Sequence, residues 1–256
     1  MKQLVLLIAA LAAQAQAAEA ADLRFVACPI YRDVDAGKKS GCWLATDPAT
    51  GIRYDVSAAP AKPDWNFSVL VEGRPTDATQ SACGGVVLDP VRTSILTTPC
   101  TRHMLPAEDF TGHPFVLPRR NVRPSTEAQP VPPPPYSDTT FHLFFEHDRS
   151  FSIYQLDDWL LDRANAWLQA AQPAHIIVTG YAVVGQEPVS GVPIGERPEV
   201  AHERADMVVE ALIRLGFPRD RITEVTGMNP APTAAEGSDG LADASRRRVD
   251  LLAVVH

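Results

Sequence analysis

Apolar and polar positions change their rhythm halfway along the chain. Up to about residue 117, apolar residues come in short runs at 23–28, 42–46, 52–57, 67–73, 84–89 and 94–98, each bounded by turn formers. Runs of that length predict β-strands. Asp47-Pro48-Ala49-Thr50-Gly51 predicts a hairpin loop, with proline fixing one φ and glycine supplying a positive one. No helical period is evident here, so a small all-β unit, a barrel or a sandwich, is expected.

After residue 138 the period lengthens. Thr140-Phe141-His142-Leu143-Phe144-Phe145 reads as a strand. Ser152 and Gln155 then stand at the spacing of a capping box, with Phe151 and Leu156 as the hydrophobic staple across it. Leu156, Trp159, Leu160, Ala164, Trp167, Leu168 and Ala171 fall on one helical face, and Pro173 should end that helix. Residues 174–179 form a near-continuous apolar strand, the pattern expected where helices cover a sheet. A second helix begins near Pro198, carries Val200, Met207, Val208, Ala211, Leu212 and Leu215, and is capped at Gly216. Strands at 221–226 and 248–255 complete the order β-α-β-α-β-β. That order predicts an α+β body with two helices on a mixed sheet.

Between the two textures lies LPRRNVRPSTEAQPVPPPPYSD, residues 117–138. A proline-rich run favours extended polyproline II at ~3.1 Å per residue, so a stiff linker that can hold two bodies apart is expected over 118–138. The layout is therefore a β domain at 22–117, the linker, and an α+β domain at 139–256. Residues 1–20 place Lys2 before an apolar stretch and then small residues, which is the pattern of a secretory signal peptide cut after Ala17 or Ala20. The apolar stretch is well short of the ~20 residues that span a bilayer, and no later segment approaches that length. Export to the periplasm, with no membrane-spanning segment in the mature chain and outer-membrane association as one form of it, is the expectation.

Cys28, Cys42, Cys83 and Cys100 all lie in the first half. An exported chain meets oxidising conditions, so two disulfides are expected, with the pairing left open by the spacing. Cys100-x-x-His103 is the one metal-like spacing, but no close cysteine couple accompanies it, and no metal or other cofactor is expected. The net charge of −8 over 256 residues lacks the footprint that phosphate binding needs, which argues against nucleic acid. No G-x-S-x-G, H-E-x-x-H or G-x-G-x-x-G pattern is found, so a non-catalytic protein is expected.

Several ordered motifs resemble the OmpA C-terminal-like domain family. They are Phe144-Phe145-Glu146, Val178-Thr179-Gly180-Tyr181, Glu203-Arg204-Ala205 with Val208, Leu212 and Gly216-Phe217-Pro218, then Gly227-Met228-Asn229-Pro230 and Arg246-Arg247-Arg248-Val249-Asp250-Leu251. The resemblance covers about residues 139–256. It implies a periplasmic domain that binds the peptide stem of peptidoglycan, and it places the ligand carboxylate on Arg204 and Arg247. A guanidinium near a helix N-terminus suits that task, because its fork offers two parallel donors to a carboxylate.

The sequence departs from the family at three places. Arg197 and Ala201 replace the asparagine and serine of the helix motif, and Val183 stands where the family has an aspartate. The connection from 184 to 197 is also longer than usual, and Glu187, Glu196 or Glu199 could return a carboxylate to the site. Two functions follow from this reading. One is peptidoglycan binding, or tethering of an envelope component to the wall, with the β domain presented to an envelope protein partner. The other is a degenerate OmpA-like domain used as a protein-interaction module without peptidoglycan.

Overall fold

The computed structural model describes residues 21–33, 41–76, 83–106, 128–151, 155–226 and 240–255. The expected signal peptide, the first part of the linker, the capping-box serine and the 227–230 motif lie outside them. The first half builds strands β1 (Leu23–Ala27), β2 (Pro29–Asp33), β3 (Gly41–Thr46), β4 (Arg53–Asp55), β5 (Phe67–Pro75), β6 (Val86–Pro99) and β7 (His103–Leu105). They form one open sheet in the order β1-β5-β6-β4-β3-β2-β7, with β1 and β7 as its edges.

Two of the expected strands, at 84–89 and 94–98, are one strand. β6 runs through Pro90 because that residue sits at an irregularity: Gly73 faces Val91 and Pro75 faces Leu88, which leaves Asp89 and Pro90 opposite Arg74. A residue without an N–H is tolerated at such a bulge. The long strand then serves both halves of the sheet, pairing antiparallel with β5 and parallel with β4. The Asp47 loop forms as expected, its carboxylate accepting from the Ala49 N–H at 3.0 Å and from the Thr50 hydroxyl at 2.8 Å. Disulfides join Cys28 to Cys100 and Cys42 to Cys83, with Cα separations of 5.7 and 5.9 Å.

The second half supplies β8 (Thr139–Phe144), α1 (Gln155–Ala171), β9 (His175–Gly180), β10 (Glu187–Val189), β11 (Val192–Ile194), α2 (Val200–Arg214), β12 (Ile222–Thr226) and β13 (Arg248–Val254). A four-stranded mixed sheet has the order β12-β9-β13-β8, with β12 and β9 parallel and the other pairs antiparallel. Both helices cover it. Leu160, Trp167 and Leu168 of α1 and Ala205, Val208 and Leu212 of α2 share one core with Phe144, Ile176, Val178, Val249 and Leu251. α2 ends as its sequence specifies: Gly216 adopts φ +96° and the Phe217 N–H returns to the Leu212 carbonyl at 3.0 Å.

Besides the short strands β2 and β7 of the first half, the unforeseen strands are β10 and β11, a hairpin within the long 184–197 connection. Its Val189 and Ile194 are buried against Val26 of β1 and Leu70 of β5. It therefore staples the second half onto the first. The described part of the linker is also docked: Val131 and Tyr136 pack on the second core, and the Tyr136 ring meets Trp167 edge-on at 5.6 Å. The two halves are thus in contact rather than held apart.

Candidate functional site

Gly180 is where the site begins. It ends β9 against the first turn of α2, and a Cβ there would lie 1.9 Å from the Ala201 carbonyl oxygen. Only glycine permits that approach, which sets α2 close enough for Arg204 to reach under the ends of the strands.

Arg204 is wholly buried. Its Nε donates to the Arg149 carbonyl at 2.8 Å. Nη1 donates to the Tyr181 carbonyl at 2.7 Å and to Glu196 Oε2 at 3.1 Å. Nη2 donates to the Glu146 carbonyl at 3.0 Å and to Glu196 Oε1 at 2.5 Å. A guanidinium offers five N–H groups, and all of them are engaged. The face of the Phe145 ring adds a cation–π contact at 5.3 Å.

Glu196 is closed from its own side. Oε1 also accepts from the Asp148 N–H at 2.8 Å, and Oε2 from the Val183 N–H at 2.6 Å. The Glu196 N–H in turn donates to the Val183 carbonyl at 2.8 Å. Burial alone would push this carboxyl up, but the charge and hydrogen bonds of Arg204 outweigh it and hold Glu196 below the usual carboxylate range. The chain has therefore placed a carboxylate of its own on the arginine. It comes from the long connection, just after β11, and is anchored on the backbone of Val183.

Arg247 follows the same pattern with a more distant partner. It lies in the turn before β13 and is 2% exposed. Nη1 donates to Glu72 Oε1 at 3.1 Å, and Nη2 pairs with Glu72 Oε2. Glu72 belongs to β5, in the other half of the molecule, and is itself buried. The pairing raises the Arg247 guanidinium despite the burial that opposes it. Arg247 Nε and Glu146 Oε2 are buried without a partner among the described residues, and both residues line a cavity of about 10 Å³. Glu146 stands between the two arginines. Burial drives its carboxyl upward, although Arg92, Arg247, Arg149 and Arg204 all pull the other way.

Further ion pairs fasten the halves around this centre. Arg24 of β1 reaches Glu187 of β10 at 2.8 Å and Asp243 at 3.5 Å. Asp22 accepts from Arg74 Nε at 2.6 Å and from the Ala242 N–H at 2.8 Å. Beside the hairpin, residues 95–98 of β6, 147–149 and 192–195 enclose a cleft of about 260 Å³.

The structure thus brings both sequence-nominated arginines into one buried cluster and gives each an internal partner. Of the three glutamates considered for the rebuilt site, Glu196 alone reaches Arg204; Glu187 turns to Arg24. Glu203, on the next residue of the helix, pairs with Arg197 at 2.9 and 3.1 Å. Glu72 was not nominated. The signal for it was a lone charge inside the apolar run Val69-Leu70-Val71-Glu72, in a strand that is buried on both faces. Cys100 is taken by its disulfide and His103 is an exposed residue of β7, so the C-x-x-H spacing does not assemble a site.

Comparison with protein-family models and with curated proteins returned no match. Among solved structures, the chain matches OmpA-like domains over a little under half its length. The OmpA-like domain of FopA1 from Francisella tularensis is 17% identical, covering 45% of this chain and 71% of that one, at a TM-score of 0.35. The peptidoglycan-associated lipoprotein from Burkholderia pseudomallei is 20% identical over 44% of this chain and 88% of that one, at 0.32. The cell wall anchor of the T6SS from Pseudomonas aeruginosa is 19% identical over 46% and 82%, at 0.34.

Proposed function

We propose that this protein is a non-catalytic periplasmic component of the cell envelope, in which an OmpA-type body serves as an interaction module rather than as a free grip on peptidoglycan. One observation carries the reading: the guanidinium that the family motif assigns to the ligand has every N–H engaged inside the chain, and its carboxylate partner is Glu196. A stem-peptide carboxylate would have to displace a buried, fully bonded ion pair. Breaking such a pair costs ~3–5 kcal/mol, which is enough to erase ordinary ligand affinity. The two disulfides fit an oxidising compartment, and no helix among the described residues is long and apolar enough to cross a membrane.

The test is cosedimentation of the full-length protein with isolated sacculi, beside affinity purification from cells before and after lysozyme digestion. The expected result is a protein that stays in the supernatant and a partner that survives digestion. Retention of the wild type on sacculi, together with loss of the partner on digestion, would overturn the reading.

The second reading, wall binding after Glu196 and Glu72 have been displaced, is favoured by the presence of both arginines in one cluster. It requires Glu196→Gln or Glu72→Gln to raise retention on sacculi.

A further inference from the structure

The far end of β6 has a free side. β4 pairs with β6 only at Val86 and Val87, and no other strand among the described residues flanks it there. On the β5 side Phe67 faces Pro99 and Val69 faces Ile95, so Leu96, Thr97 and Thr98 stand against Ser68 alone. Three residues cannot all pair with one, and backbone N–H and C=O groups of this stretch therefore lie outside the ladder. Thr97 and Thr98 are exposed. An extended backbone in that state is a template for another strand.

The cleft of about 260 Å³ lies beside this stretch, and residues 192–195 and the 147–149 turn form its other walls. Leu96, Val192 and Ile194 belong to one apolar cluster, which gives the cleft an apolar side. Its charged groups are not alike. Asp148 is neutralised, accepting from the Arg197 N–H at 2.9 Å and from Arg197 Nε at 3.1 Å. Burial brings the His147 imidazole down to about 4, so that ring is neutral at pH 7. Arg149 makes no ion pair among the described residues, and its guanidinium lies 6.0 Å from the centre of the exposed Phe151 ring. It is left as the charged group of the wall that an incoming carboxylate can meet.

We propose that the cleft receives an extended segment of a partner protein, which adds as a strand along residues 96–98 of β6 and sets an acidic side chain on Arg149. Main-chain hydrogen bonds supply the affinity and the apolar side selects alternate side chains, as in recognition at other sheet edges. This docking mode rests on the reading of the body as an interaction module, and it names where that module takes its partner.

The probe is a phage-displayed library of random peptides selected on the full-length protein, followed by fluorescence polarisation and hydrogen exchange with the enriched peptide. Enriched sequences should share an acidic position beside alternating apolar ones, and the bound peptide should protect the amides of residues 96–98 from exchange. Successive N–H groups of a strand point to opposite sides, so at least one of Thr97→Pro and Thr98→Pro should lose ~10-fold or more in affinity. Arg149→Glu should lose as much, through like-charge repulsion. No enriched peptide, or peptides that leave the 96–98 amides exchanging as before, would overturn the proposal, as would full affinity in both proline variants. Full affinity in Arg149→Glu would overturn the acidic anchor. These outcomes are independent of retention on sacculi, which tests the interaction-module reading itself.

Discussion

Glu196 and Arg204 complete each other: both carboxylate oxygens and all the guanidinium N–H groups find partners, and neither side chain is exposed to solvent. Their closure turns an arginine expected to face a ligand into part of the core. Three backbone carbonyls from two segments, the 146–149 turn and the end of β9, hang on the same guanidinium, so the pair also fixes the loops around it.

Removing one member should therefore cost more than removing both. Glu196→Leu or Arg204→Met alone is expected to lower stability by ~3–5 kcal/mol, because a buried charge is left without its partner. The double variant Glu196→Leu, Arg204→Met should lose less than the sum of the two. Urea unfolding of the four proteins in a double-mutant cycle reads the coupling directly, and strict additivity would contradict the arrangement.

Glu72 and Arg247 extend the same logic across the two halves. Glu72→Gln should lower the melting temperature and expand the molecule, since it weakens the buried pair linking β5 to the turn before β13. Small-angle scattering should show a larger radius of gyration in the variant. Because the pair is buried, moderate salt should not reproduce the effect in the wild type. An unchanged radius would show that the hairpin and the surrounding ion pairs suffice to hold the halves together.

Acid should weaken the fold in two steps. Burial, with the Arg247 charge adding to it, brings the His147 imidazole down to about 4, against ~6.5 in an unfolded chain. The folded protein therefore keeps the ring neutral while the unfolded chain takes up the proton first. Stability is full above pH ~6.5 and falls as pH drops from there toward 4, by at most ~3 kcal/mol. Glu196, held low by Arg204, contributes above the unfolded carboxylate value and loses that contribution as pH falls below it. His147→Gln should flatten the first step and spare the second. Urea midpoints between pH 7.5 and 3 would show the two, and an unaltered first step would exclude His147 as its source.

Gly180→Ala is expected to be severely destabilising, by more than ~3 kcal/mol, because its Cβ would fall on the Ala201 carbonyl. α2 could yield only by lifting Arg204 away from its carbonyls. A melting temperature within a few degrees of the wild type would mean that the helix can shift freely.

The disulfides close long loops, with sequence separations of 72 for Cys28 and Cys100 and 41 for Cys42 and Cys83. Replacing either pair by alanine should cost ~4 kcal/mol in the loop-entropy account. Chemical denaturation of each double variant measures it, and the longer loop should lose slightly more.

Much of the second half was legible because its elements are amphipathic and bounded by strong stop signals. Pro173 and Gly216 mark where α1 and α2 end, and the apolar stripe of each helix is the one that packs. The first half was read less fully. β2 and β7 are short, and Pro90 inside β6 looks like a break until its bulge is seen. The hairpin escaped because Pro188, Gly191, Pro193 and Gly195 carry loop chemistry; its burial comes from Val26 and Leu70, which are distant in sequence. The site divided along the same line. Arg204, Arg247 and the candidate Glu196 follow from local motif and spacing, whereas Glu72 meets Arg247 across 175 residues, a pairing no local pattern encodes.

That separation also sets an order of assembly. Strands β1 to β7 and both disulfide pairs precede residue 247 in the chain, so Glu72 depends for its main counter-charge on the turn before the last strand, with Arg24 nearby at 3.6 Å. Closure is a late, long-range step, of the kind that proteins rich in non-local contacts take slowly. A product truncated anywhere before its last strand exposes an acidic seam where the finished protein buries an ion pair. The final turn thus supplies the counter-charge for a carboxylate laid down 175 residues earlier.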